Sequence, residues 1–151
     1  MSTEMSAFDV NIRQRLYDGG INTGRLPLVA QLVEDTASSQ AAVAGALQRL
    51  HETHTIVLQR ESSEVLMANP FSAVPTPFVV ASGDDSWYAN CIWDAMGIAA
   101  MLHRDAVIRT SCGCCGSRID LAVPQECQDG AQMVAHFAIP AARWWNDIVF
   151  N

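Results

Sequence analysis

The sequence predicts an α+β protein: an N-terminal winged-helix-like three-helix module, then a small mixed β-sheet domain packed around a buried helix. Three observations predict it. Apolar residues recur three or four apart through the first fifty positions, the helical period. Two short β-rich runs follow and complete a helix-helix-helix-hairpin order. Beyond residue 78, alternating apolar and polar runs flank one stretch that is apolar almost all round, Ile92 to Leu102. With 151 residues, half of them hydrophobic, the chain can build one ordinary domain or two very small ones. The expected division is 1–68 for the helical module, 69–80 for a proline-rich connection and 81–151 for the sheet core.

The elements follow in order. Ala7 to Asp18 carries Phe8, Ile12 and Leu16 on one stripe, and Gly19-Gly20 is expected to end that helix. Pro27 suits the first turn of a second helix running to Asp35, with Leu28 and Leu32 four apart. Ser38 or Ser39 caps a third, in which Val43, Leu47 and Leu50 repeat helically. Thr55 to Leu58 and Val65 to Ala68 read as strands joined by the turn at 60–64. Residues 69–78 hold three prolines, which makes them stiff, extended and poor as a central strand. Phe78 to Ala81 and Ser86 to Tyr88 read as a hairpin, with a helix opening after Asn90. Ala106 to Thr110, Arg118 to Val123 and Met133 to Ile139 read as further strands, and Pro140 begins a short element holding Arg143, Trp144 and Trp145.

Charge narrows the partners. The net charge is −7, and all nine basic residues are arginine. Residues 1–70 hold five arginines against eight acidic residues, and the third helix offers only one of them. Reading DNA needs a basic footprint, so the helical module is expected to serve structure or dimerisation rather than nucleic acid. No apolar run reaches membrane-spanning length, and the first residues lack the charged and apolar regions of a signal peptide. A cytoplasmic protein with no membrane partner is the expectation.

Two residues interrupt the apolar stretch, Cys91 and Asp94. Three apart, they share a helix face, and both fall in the first turn. The unpaired N–H groups and positive dipole end there favour a thiolate and a carboxylate. A lowered thiol pKa is therefore expected, with Cys91 as nucleophile or metal ligand. The same pattern also suits an inert buried thiol beside a dipole-pairing Asp. Trp87, Trp93 and Trp144 are the candidate apolar walls.

The chain has five cysteines. Cys112 and Cys115 form a C-x-x-C followed by Gly116, with Cys114 inside. An odd number with three nearly adjacent argues, in a reducing compartment, for thiol or metal chemistry rather than a disulfide scaffold. Zinc needs four ligands, so Cys91, Cys127, His103 or His136 would have to complete such a site. Alternatively the loop delivers a second thiol towards Cys91, for which mercury, copper(I) and similar soft ions are the fitting cargo.

The run Trp87-Tyr-Ala-Asn-Cys91-Ile-Trp-Asp94 resembles the aromatic-x-x-Cys-x-x-Asp motif of the alkylmercury (organomercurial) lyase family. Cys112 stands at the position of a further family cysteine, and Asn69 to Phe78 and Arg143 to Phe150 are similar to stretches of a shorter branch. The resemblance implies protonolysis of a carbon–mercury bond, with Cys91 capturing mercury and Asp94 shuttling the proton. It implies an organomercurial or soft metal ion and low-molecular-weight thiols as partners, and no required cofactor. The family's second essential cysteine would fall just past the stretch ending at Phe150, where this sequence stops at Asn151; the expectation is either a different task or a second thiol supplied by Cys112, Cys114 or Cys115. Non-catalytic binding or sensing of mercury, copper or zinc is the alternative. The apolar C-terminal stretch is expected to leave a strand edge that suits a homodimer.

Overall fold

The computed structural model describes residues 5–124 and 134–149. Three helices come first: α1 (Ala7–Thr23), α2 (Val29–Thr36) and α3 (Gln40–Glu52). Ser6 caps α1 by accepting from the Asp9 amide, while the Asp9 carboxylate accepts from the Ser6 amide. Ser39 caps α3 through the Ala42 amide. Ile12, Leu16, Leu32, Val43, Leu47 and Leu50 are fully buried between these helices, as their spacing predicts.

Two boundaries differ from expectation, each for a packing reason. α1 runs through Gly19-Gly20 and ends at Gly24, whose φ is 69°. The paired glycines permit close approach instead. A Cβ on Gly19 would stand 2.6 Å from the Pro27 ring, and one on Gly20 would stand 2.7 Å from the Phe71 ring. Pro27 lies ahead of α2, whose cap is Leu28; that residue is 57% exposed, so only Leu32 of the expected stripe is buried.

A three-stranded antiparallel sheet follows, in the order β1 (Val57–Leu58), β2 (Val65–Ala68), β3 (Phe71–Ser72). β3 comes from the proline-rich stretch. The cis Asn69-Pro70 bond turns the chain so that Ala68 pairs with Phe71. Proline lacks an N–H, but the residues beyond it keep theirs: Phe71 pairs with Ala68, Ser72 with Met67, and the Ala73 amide donates to Leu66 O at 2.9 Å.

The second sheet has the order β5-β4-β6-β7, built from β4 (Val79–Ser82), β5 (Asp85–Tyr88), β6 (Ala106–Ser111) and β7 (Arg118–Val123). Every pairing is antiparallel, which corrects the expected mixed sheet. β5 and β6 do run in the same direction, joined by α4 (Ile92–Leu102), but β4 lies between them. The parallel relation exists without a parallel ladder.

α4 lays one face on this sheet. Ala95, Ile98 and Ala99 are buried, whereas Trp93 is 61% and Met101 41% exposed. The stripe of Trp93, Ala100 and Met101 is thus left exposed on a helix whose apolar sequence predicts full burial. One continuous cluster of apolar side chains joins the two halves, from Ile12 and Leu47 through Phe71 to Val80, Trp87, Ile98 and Ile108. Of the expected strand 133–139, Met133 lies outside the described residues, and Val134 to Ile139 form no strand. After Pro140 the chain makes a short 3-10 helix, Ala141–Asn146, and Trp145 stacks on His54 with centroids 4.3 Å apart.

Candidate functional site

The start of α4 gathers groups from four parts of the chain. Its cap is Cys91, one residue later than expected, in extended backbone with φ −151°. Asp94 is the third residue of the helix. Asn90, the expected cap, is drawn away to another task. Its Nδ2 donates to Asn69 Oδ1 at 2.9 Å and to Asp94 Oδ2 at 3.2 Å, and lies 3.4 Å from the carbonyls of Pro70 and Phe71. One amide thereby joins the cis-proline turn to the Asp94 carboxylate. From α1, Tyr17 donates its hydroxyl to Asn69 O at 3.0 Å and packs edge-on against Phe71. Tyr17, and the part Asn90 plays as an anchor for Asp94, were not evident from the sequence. The only local signal for this anchor was the Asn69-Pro70 pair, because the contacts span 52 positions for Tyr17 and 21 for Asn90.

The electrostatics run against the expected lowered thiol. Burial pushes the Cys91 thiol above its ordinary range; the Asp94 and Trp93 amides pull it back, and the Asp94 carboxylate adds to the rise. Burial likewise raises Asp94, opposed by the hydrogen bonds from Asn90 and from the Cys91 thiol. Loss of solvent around two acidic groups outweighs the helix dipole here. Burial also raises the Tyr17 phenol, against the pull of Arg13 and with a small push from Asp94. Among the described residues Asn90 Oδ1 and Thr110 Oγ1 are buried without a hydrogen-bond partner.

The three tryptophans are placed differently. Trp87 is buried, but its indole N–H donates to Ile21 O at 3.2 Å and Arg104 lies 5.6 Å from its ring, so it serves the packing of α1 on the sheet. Trp93 extends from the first turn of α4 into solvent. Trp144 donates to Ile139 O at 2.9 Å and packs on Phe137, 5.2 Å between centroids.

The cysteine loop emerges at the same end of the sheet. Val79 pairs with both Tyr88 and Arg109, so Cys91 and Cys112 each lie three residues beyond one rung, past the ends of two strands separated by β4. Cys112 is half buried, and Cys114 and Cys115 are exposed. Cys127 lies outside the described residues. Among the described residues no three of His, Cys, Asp and Glu converge on a point that could hold a metal. Cys91 and the loop therefore do not form one multi-ligand cluster. A shallow depression lined by Ser82, Asp105 and Val107 sits at the opposite end of the strands. No described helix is long and apolar enough to cross a membrane.

Fold and site together define an α+β scaffold that presents a half-buried thiol and carboxylate on the first turn of one helix. A family model described as alkylmercury lyase, MerB, matches residues 71–150, more than half of the chain, and the chain belongs to that family. A crystal structure described as the mercury-bound form of MerB2 matches with a TM-score of 0.61 and 20% identity, over 81% of this chain and 58% of that one. At that identity the likeness shows the fold, and this chain spans 58% of the length of that relative. No curated protein matches in sequence.

Proposed function

We propose that the chain cleaves carbon–mercury bonds by protonolysis, with Cys91 as the mercury-capturing thiol and Asp94 as the proton carrier. The observation that carries this reading is the pairing of thiol and carboxylate at the first turn of α4, Cys91 as its cap and Asp94 as its third residue, both raised by burial and with the carboxylate held by Asn90. A raised thiol keeps its proton until a soft metal competes for the sulfur. As the Cys91–mercury bond forms, that proton passes to Asp94. A raised carboxyl is a proton donor better matched to neutral pH than an ordinary Asp. Asp94 then protonates the carbon bound to mercury, the carbon–mercury bond breaks, and the hydrocarbon leaves. Mercury(II) stays on Cys91, with a low-molecular-weight thiol as its second ligand until further thiol removes it.

The helical module serves this reading as a winged-helix-like support. Tyr17 holds the turn at 69–71, that turn holds Asn90, and Asn90 holds Asp94. The tested quantity is benzene release from phenylmercury under excess thiol by the reduced protein. Release that Cys91→Ser and Asp94→Ala both abolish is the expected result. Tight mercury binding with no benzene from the parent protein would sink the proposal.

A further inference from the structure

The connection between β6 and β7 is a closed single turn. The Gly116 amide donates to Cys112 O at 2.8 Å, a bond between residues four apart, and the Cys112 amide donates to Ser117 O at 2.8 Å. Gly116 has φ 71°, the left-handed conformation that ends such a turn and that a Cβ would oppose. Within one helical turn, residues three apart share a side and residues two apart do not. Cys112 and Cys115 are therefore neighbours, and Cys114 is turned away from Cys112. Cys115 Sγ lies 3.0 Å from Ser117 Oγ, and hydrogen bonding from Ser117, with a smaller contribution from Cys112, holds the Cys115 thiol below the ordinary range.

This turn fixes two soft donors and no more. With no third donor converging among the described residues, the four-ligand set that zinc requires is not assembled. A soft ion that is satisfied by two thiolates needs only the pair. The strands that lead to Cys91 and to Cys112, β5 and β6, are separated by one strand, with their axes about 10 Å apart.

We propose that Cys112 and Cys115 form a two-thiolate mercury(II) site of their own, independent of Cys91 and without Cys114. Loading is thiol exchange: mercury(II) carried by two glutathione thiolates moves to the two cysteine sulfurs, and the two cysteine protons go to the departing glutathiones. No electron is transferred. Use of the site to store mercury released at Cys91 rests on the lyase reading; the site itself does not.

The test uses the reduced full chain carrying Cys91→Ser, one equivalent of mercury(II) and excess glutathione. Retained mercury and the near-ultraviolet thiolate–mercury band are measured. One bound ion per chain is expected. Adding Cys112→Ser or Cys115→Ser should weaken retention by about 10²-fold or more, the loss expected when two tethered donors become one. Adding Cys114→Ser or Cys127→Ser should leave it unchanged. Cys115 is exposed, so its replacement tests the site without disturbing the core. Retention unaffected by Cys115→Ser, or lost equally on Cys114→Ser, would overturn the proposal. Mercury held by the loop of the Cys91→Ser chain while the parent protein releases no benzene would sink the lyase reading alone, and benzene release by the parent with no loop binding in the Cys91→Ser chain would sink this one alone.

Discussion

Asp9 and Asp94 occupy the same position, the third residue of a helix, and have opposite fates. Asp9 closes a capping box with Ser6 and takes a forked contact from Arg49, with Nη2 to Oδ1 at 2.6 Å and Nε to Oδ2 at 3.1 Å. The Arg49 hydrogen bond holds its carboxyl below the ordinary value, despite burial. Asp94 has a thiol for a cap and a neutral amide for a partner, and burial raises it. Both feel a helix N-terminus. What differs is whether burial is compensated by a cation. One carboxylate is spent on holding α1 to α3; the other is left buried without a cation.

Four experiments bear on that contrast. The largest effect is expected at Asp94. Asp94→Ala should lower benzene release by about 10²- to 10⁴-fold, the usual worth of a general acid, while mercury binding persists. The same change at Asp9 should leave turnover per folded molecule intact and instead cost about 2 kcal/mol in urea unfolding, because Arg49 and the Ser6 amide lose their acceptor. A reversal of those two phenotypes would break the comparison.

The pH dependence sharpens it. Asp9 has a lowered folded pKa, so its stabilisation is present above the unfolded value near 3.8 and is lost as pH falls through the folded value. Asp94 has a raised folded pKa, so any favourable contribution exists below about 3.8 and disappears as pH rises through the folded value. Asp94→Asn should accordingly stabilise the protein by about 1 kcal/mol at pH 7, with the gain vanishing by pH 3.5. Melting curves of parent and variant across that range decide the sign; a gain that grows with acidity would be inconsistent with a carboxyl raised by burial. The smallest effect is expected at the exposed Arg104–Asp85 pair, 2.8 Å apart with side chains 47% and 61% exposed. Asp85→Ala should cost under about 0.5 kcal/mol, and less still in high salt.

Much of this was legible in the chain itself. The 3.6 period placed Ile12, Leu16, Val43, Leu47 and Leu50 in the core, and β2 fell where β-branched and apolar residues said it would. The three-residue spacing of Cys91 and Asp94 put them on one helix turn, because that relation is local. The lowered thiol was not borne out, since the dipole is local and desolvation is not. Gly19-Gly20 looked like a helix stop, because nothing nearby in sequence announced that Phe71 and Pro27 would press on the helix.

The sequence by itself determined the four helices and most of the strands, though not β3 or the absence of a strand at 134–139, together with the acidic, lysine-free composition and the short-range pairs: Cys91 with Asp94, Cys112 with Cys115. Those depend on backbone period and on spacings under one turn. Only the tertiary structure decided what surrounds them. It brought Asn69 and Tyr17 to Asn90, spent Trp87 on the core, left Trp93 in solvent, placed β4 between β5 and β6, and set the direction of the Cys91 and Asp94 shifts. Each is a matter of which distant surfaces exclude water from a group, and that is fixed by packing rather than by any local run of residues.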